Sequence, residues 1–476
     1  MTFVSAALII LACIAISYFI LNYRRQSSVK MINKMPGPKA FPLIGSALYF
    51  LQYSTDEFFK VLTKLAEDYS SPFKFWMGNK LFIGIYEPDQ IKTILQSSVD
   101  KSIIYKMFEP VLGKGLITAP VSTWIKHRKI IRPSFNKSIL QKYFDIFVEQ
   151  SLILTDELRK IGLNGNKVIL LEHISKYAVR AACGTMTDIK IESLTNQINQ
   201  CIEATKSIQK IGRLRIRNIF LYPNFIFNLT ALGQKLRQYN NFYHSFTDKL
   251  IQAQIYANEQ NTKSKCETHR TLLDILIEVF HGDKFSQEII HDNLVTIILA
   301  EKVYQELWEI YGTKTPKSAP IRYKDLPNMN YLDCVIKETM RLFPPVPFVD
   351  RRLTEDVKIE EFILPKDTEV FLGIITLHRN EKYWPNPLVF DPNRFLPEKR
   401  DMSYSSYYMP FSLGSRNCIG MNYAMISLKV VLATLIRTFV FKVDKIIPID
   451  KIKLNTDITL YSVEPLEVKI EKRDLH

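Results

Sequence analysis

Phe411-Ser412-Leu413-Gly414-Ser415-Arg416-Asn417-Cys418-Ile419-Gly420 is the stretch on which the reading of this chain turns. Two glycines and a phenylalanine bracket one cysteine, and an apolar helical pattern sets in at Met421. Glycine carries no Cβ, so such a loop turns tightly and lets backbone approach a flat ligand. The start of the following helix aims amide dipoles at the sulfur, which favours its thiolate. A cysteine taken alone is most often a small buried hydrophobe. Several fixed positions within one short loop are much harder to meet by chance, so Cys418 is the candidate metal ligand.

The other five cysteines, Cys13, Cys183, Cys201, Cys266 and Cys334, are scattered and form no Cys-x-x-Cys pair. That excludes a disulfide framework, a zinc ribbon and a ferredoxin-type cluster, and reduced thiols suit a domain facing the cytosol. The 476 residues are 47% hydrophobic and 23% charged, as in a folded chain long enough for one large core. The net charge is +15, yet no continuous basic block or helix-turn-helix signature accompanies it, so no nucleic-acid partner is expected. A basic surface facing an anionic membrane or an acidic protein fits better.

Residues 1–23 carry no charge, and Phe3 to Leu21 are almost wholly apolar, close to the ~20 residues that span a bilayer. Arg24, Arg25, Lys30 and Lys34 follow at once, while nothing basic precedes Phe3. This order argues for a retained signal anchor with the rest of the chain in the cytosol. Met35-Pro36-Gly37-Pro38 and Phe41-Pro42-Leu43-Ile44-Gly45 come next, where proline removes donors and fixes φ. The expected organisation is therefore a transmembrane anchor over 1–23, a basic and Pro/Gly-rich linker over 24–45, and one large domain over 46–476. Helical periodicity dominates from about residue 55. Shorter β-like runs lie at Lys80–Tyr86, Val357–Leu364, Thr368–Ile375 and near the C-terminus, which makes the domain mainly α with minor β-sheets.

Three further patterns precede the cysteine loop. Glu338 and Arg341 in Lys337-Glu338-Thr339-Met340-Arg341 share a helical face at i,i+3, and Pro344 and Pro345 stop that helix. Asp391-Pro392-Asn393-Arg394-Phe395 lies downstream, and Trp124-Ile125-Lys126-His127-Arg128 lies far upstream with Trp124 and Arg128 at i,i+4. In this order the chain resembles the cytochrome P-450 superfamily, whose ligand loop reads Phe-x-x-Gly-x-Arg-x-Cys-x-Gly. Val346-Pro347-Phe348 and Leu377-His378-Arg379-Asn380 look most like family four, whose members often oxidise fatty acids and related lipids.

The resemblance implies a single haem domain in which Cys418 ligates the iron of a non-covalent haem b. Such a thiolate pushes electron density onto iron and favours O–O cleavage. It implies that Trp124, Arg128, Arg351 and Arg416 hold the haem propionates, with Phe411 in the same loop. Paired carboxylates in a largely apolar pocket need such fixed cations. Glu338, Arg341 and Arg394 are implied as a buried charge network that locks the core, and His378 as a packed rather than iron-bound residue. The implied activity is monooxygenation of an apolar, lipid-like or xenobiotic substrate at the endoplasmic reticulum membrane. Electrons would come from an NADPH–cytochrome reductase, with cytochrome b5 as a second donor.

One part of the pattern is missing. The superfamily's central helix carries Ala/Gly-Gly-x-Asp/Glu-Thr-Thr, whose acid and threonine relay protons. Here Asn293-Leu294-Val295-Thr296-Ile297-Ile298-Leu299-Ala300 looks like the approach to that motif, whereas Glu301-Lys302-Val303-Tyr304-Gln305-Glu306-Leu307 looks like a segment well beyond it. The junction omits on the order of 25 residues, or ~37 Å of helix. Thr296 has neither a glycine nor an acid beside it and reads as packing, so no catalytic residue is assigned. Ala300 stands where some family-four members attach haem through a glutamate, so no ester link is expected. Two alternatives follow: an impaired or inactive haem-binding variant, and a hydroperoxide-rearranging enzyme.

Overall fold

The computed structural model describes residues 32–41, 44–51, 57–78, 80–187, 194–260, 271–279, 321–399 and 404–473. The apolar run 1–23, Thr296 and the Ala300–Glu301 junction lie outside them. Among the described residues no helix is long and apolar enough to cross a membrane.

Ten helices of eight residues or more are described: α1 (Phe58–Asp68), α2 (Pro88–Ser97), α3 (Val121–Ile131), α4 (Lys137–Gly162), α5 (Leu170–Met186), α6 (Thr195–Arg217), α7 (Ala231–Gln260), α8 (Leu272–Val279), α9 (Asn330–Leu342) and α10 (Met421–Thr438). The strands are short: β1 (Phe73–Met77), β2 (Lys80–Ile85), β3 (Lys167–Ile169), β4 (Phe348–Arg352), β5 (Val357–Ile359), β6 (Phe362–Leu364), β7 (Glu369–Gly373), β8 (Phe439–Lys442), β9 (Leu454–Thr456), β10 (Leu460–Ser462) and β11 (Glu467–Lys472). The order β1-β2-β7-β4 makes the main sheet, β3-β11-β8 a second, and β5-β6 and β9-β10 are hairpins.

Behind the cysteine loop α10 packs on α4 and α5 through a mostly apolar interface with matched hydroxyls. Phe147 meets Tyr423 edge-on at 4.9 Å, Ser151 Oγ lies 3.1 Å from Thr434 Oγ1, and the Tyr177 and Ser427 hydroxyls are 3.0 Å apart. Hydroxyls paired this way remove the cost of burying them singly. At the start of α4, Asn136 Oδ1 accepts the Ile139 N–H at 2.9 Å, a side-chain cap for an otherwise orphaned donor.

The sequence pattern is revised at three places. Val357–Leu364 is a hairpin rather than one run, turning at Glu360 with φ 52. The run 368–375 divides into β7 and a one-turn helix, Ile374–His378. Apolar residues at 374 and 375 serve either form, since both are buried. Finally, the stretch expected to be a linker is docked on the domain from residue 32: Ile32 and Met35 are buried, the Lys74 N–H donates to Pro36 O at 2.8 Å, and Gly45 bridges to Met77. Prolines keep this segment out of the ladder but not off the sheet's edge.

Candidate cofactor site

The ligand loop is a pair of closed turns. The Ser412 N–H donates to Met409 O at 3.0 Å, Asn417 N–H to Gly414 O at 3.2 Å, and Cys418 N–H back to Phe411 O at 3.0 Å. Gly414 has φ 74, and a Cβ there would lie 2.5 Å from the Leu95 carbonyl oxygen at the end of α2. This glycine is thus demanded by the neighbouring helix rather than by a ligand. Cys418 is half-buried, three residues ahead of the first residue of α10. Gly420 leaves a Cβ position 3.9 Å from Cys418 Sγ, ordinary contact.

Arg128, one turn along α3 from Trp124, donates through its two terminal nitrogens to Asn417 O at 2.8 Å and Asn417 Oδ1 at 2.6 Å. Burial lowers its pKa while the neighbouring Cys418 raises it. Arg416 donates to Val99 O at 3.0 Å, Leu116 O at 3.3 Å and Ala119 O at 2.8 Å, and its guanidinium lies 4.3 Å from the Trp124 ring. Of its five N–H donors these occupy three, so two are left for an anion. Burial and the nearby Arg351 charge push its pKa down to about 10. Arg351, on β4 and 1% exposed, gives one donor to Asp350 O at 2.9 Å and leaves its Nε without a partner among the described residues.

Lys101 and Asn417 belong to this assembly and carry no signal in the sequence. The bridge between Asp100 and Arg352 sets Lys101 opposite Arg351, and the Lys101 ammonium lies 4.0 Å from the Tyr105 ring centroid. Its pKa is driven well down by burial and then by Arg351 and Arg416. Arg128 and Arg416 thus lie against Trp124 at 5.5 and 4.3 Å, and Arg351 and Lys101 stand close enough to Arg416 to act on one another's charge, with Asp350 and Asp100 as the acids nearby. A ligand with two carboxylates and an iron seeking one thiolate fits this donor set.

A second cluster lies behind the loop. Arg341 and Glu338 on α9, both fully buried, pair through two bonds of 2.6 and 2.8 Å. Arg341 also donates to His378 O and Pro387 O, each at 2.8 Å. Glu338 accepts the Asp391 N–H at 2.9 Å and has Arg394 Nε at 3.5 Å. The helix bearing this pair stops at Leu342, ahead of Pro344. His378 is buried with its Nε2 accepting the Met409 N–H at 3.0 Å, which ties the network to the base of the cysteine loop.

A family model described as Cytochrome P450 matches residues 35–300 and 299–465. The chain belongs to the cytochrome P450 family. It is 30% identical to cytochrome P450 4c3 of Drosophila melanogaster, covering 98% of this chain and 94% of the relative, and 29% identical to cytochrome P450 4c21 of Blattella germanica, covering 99% of each. It is 30% identical to human cytochrome P450 4V2 over 84% of this chain and 83% of the relative. A cytochrome P450 is by family a haem-thiolate monooxygenase, an oxidoreductase with haem b, and this one is family-four-like. The family match divides at the place where the central-helix pattern breaks off, next to Ala300. The alignment with the Drosophila relative spans 509 positions against a chain of 476 residues, so that cytochrome P450 carries residues with no counterpart here.

Proposed function

We propose that Cys418 supplies the thiolate to the haem iron and that Trp124, Arg128, Arg351 and Arg416 grip the two propionates. The observation that carries this reading is the convergence of cations beside the one loop that presents a half-buried cysteine at a helix start. When bound, haem supplies the redox centre at which one oxygen atom of O2 passes to an apolar substrate. Arg128 holds Asn417 and so fixes the residue next to the thiolate. The Phe411 carbonyl holds Cys418 itself by accepting its N–H. Glu338, Arg341 and Arg394 lock the strands and turns under the loop. Residues 1–23 anchor the chain in the endoplasmic reticulum membrane, and the +15 charge suits an acidic reductase as electron donor, with cytochrome b5 as a second. The reduced protein with carbon monoxide should absorb where thiolate-ligated haem does, and Cys418→Ala should abolish that band. Its persistence in the variant would overturn the assignment.

The divided family match favours a second reading, in which the chain keeps the cysteine side of the site and lacks the proton relay. Such a protein binds haem and carbon monoxide but does not couple NADPH oxidation to product. Stoichiometric turnover of an apolar substrate would reject it.

A further inference from the structure

Asp350 is a buried acid with no part in holding the haem. It stands on β4 at 7% exposure, and its Oδ1 accepts no hydrogen bond from any described residue. Burial first, and Glu369 second, raise its pKa to about 7, so above that pH it is a buried carboxylate with an oxygen free to accept a donor.

Register and pleat define what it faces. Asp350 lies opposite Phe371 on β7, beside Phe348, whose ring stacks on Phe371 at 4.7 Å. Phe82 and Phe75 continue that face across β2 and β1, while Arg351 projects from the other side of the sheet. The apolar cluster on Asp350's face includes Phe108 and reaches Ile419, the residue next to Cys418. Glu369, a second acid on this face, already accepts the Ile103 N–H at 3.2 Å. Lys101 is near, but its ammonium lies over the Tyr105 ring.

We propose that Asp350 is a specificity-determining residue that accepts a hydrogen bond from a hydroxyl at the end of an apolar substrate, so that the enzyme takes long-chain alcohols and turns away fatty-acid anions. This rests on the reading that an apolar substrate binds beside the Cys418 loop, and it names the class of that substrate. Asp350 and Glu369 lie on one face of the sheet, where two acids would repel a substrate carboxylate.

Calorimetric titration of the full chain at pH 8, above the Asp350 pKa of about 7, with 1-dodecanol and with laurate reads the preference. Dodecanol should bind about tenfold or more tightly than laurate, as expected for a hydrogen bond to a charged acceptor. Asp350→Asn, close in shape but uncharged, should narrow that ratio by raising laurate affinity, and Asp350→Ala should weaken dodecanol about tenfold. Equal binding of the two ligands, tighter binding of laurate, or an unchanged ratio in Asp350→Asn would overturn the proposal. The carbon monoxide band recorded on the same samples reports the Cys418 assignment separately.

Discussion

His378 shows how a single side chain carries a condition dependence. Burial first, and the adjacent Arg341 charge second, take its pKa from the ordinary 6.5 down to about 3. Between those values the unfolded chain holds a proton that the folded chain does not. Stability from this group is complete above pH 6.5 and falls as pH drops towards about 3. His378→Gln, which keeps an acceptor for the Met409 N–H, should flatten that part of a denaturation-midpoint profile against pH. Arg341 is the more costly residue to lose. Its removal leaves the fully buried Glu338 carboxylate with only the Asp391 N–H and the more distant Arg394, and breaking a buried pair from one side costs about 3–5 kcal/mol. Urea unfolding of Arg341→Ala should show a loss of that size; a change under ~1 kcal/mol would mean that water or a new partner reaches Glu338.

At the scale of elements, the cysteine loop depends on α2 as much as on its own turns. Gly414→Ala places a methyl against the Leu95 carbonyl at a φ of 74, a conformation L side chains rarely adopt. The expected result is loss of bound haem, read as the ratio of haem to protein absorbance, with far-ultraviolet circular dichroism close to wild type. The α9 motif was legible because i,i+3 spacing brings Glu338 and Arg341 together within one helix. The division of 368–375 was not. Apolar residues in a row suit a strand or a buried turn of helix equally, and only the β4–β7 pairing, which ends at Gly373 opposite Phe348, decides between them.

For the whole molecule, buried charges tie distant segments. Arg213 on α6 pairs with Asp457 at 2.9 Å and donates to Tyr461 on β10 at 2.8 Å. Arg215, two residues on, reaches Met107 O, Leu221 O and Asn224. The C-terminal end of α6 is thus joined to Met107 on one side and to the β9–β10 hairpin on the other. The divided family match predicts a functional consequence at this scale. On the second reading, the chain as it stands gives the thiolate-haem carbon monoxide band without coupled NADPH consumption. A version carrying a relative's residues between Ala300 and Glu301 should gain the coupling; product formation by the unaltered chain at the same stoichiometry would count against the gap having any effect.

By itself the sequence determined the family, the cysteine loop, and the residues whose partners lie within a turn of helix: Trp124 with Arg128, Glu338 with Arg341. Local spacing encodes these because helix geometry alone brings them together. Tertiary structure decided which residues complete the site. Asn417 gains its role from Arg128, 289 positions away, and Lys101 and Asp350 gain theirs from the Asp100–Arg352 bridge and the β4–β7 register. Strand register and loop docking are set by burial over the whole core, so no local pattern announces them.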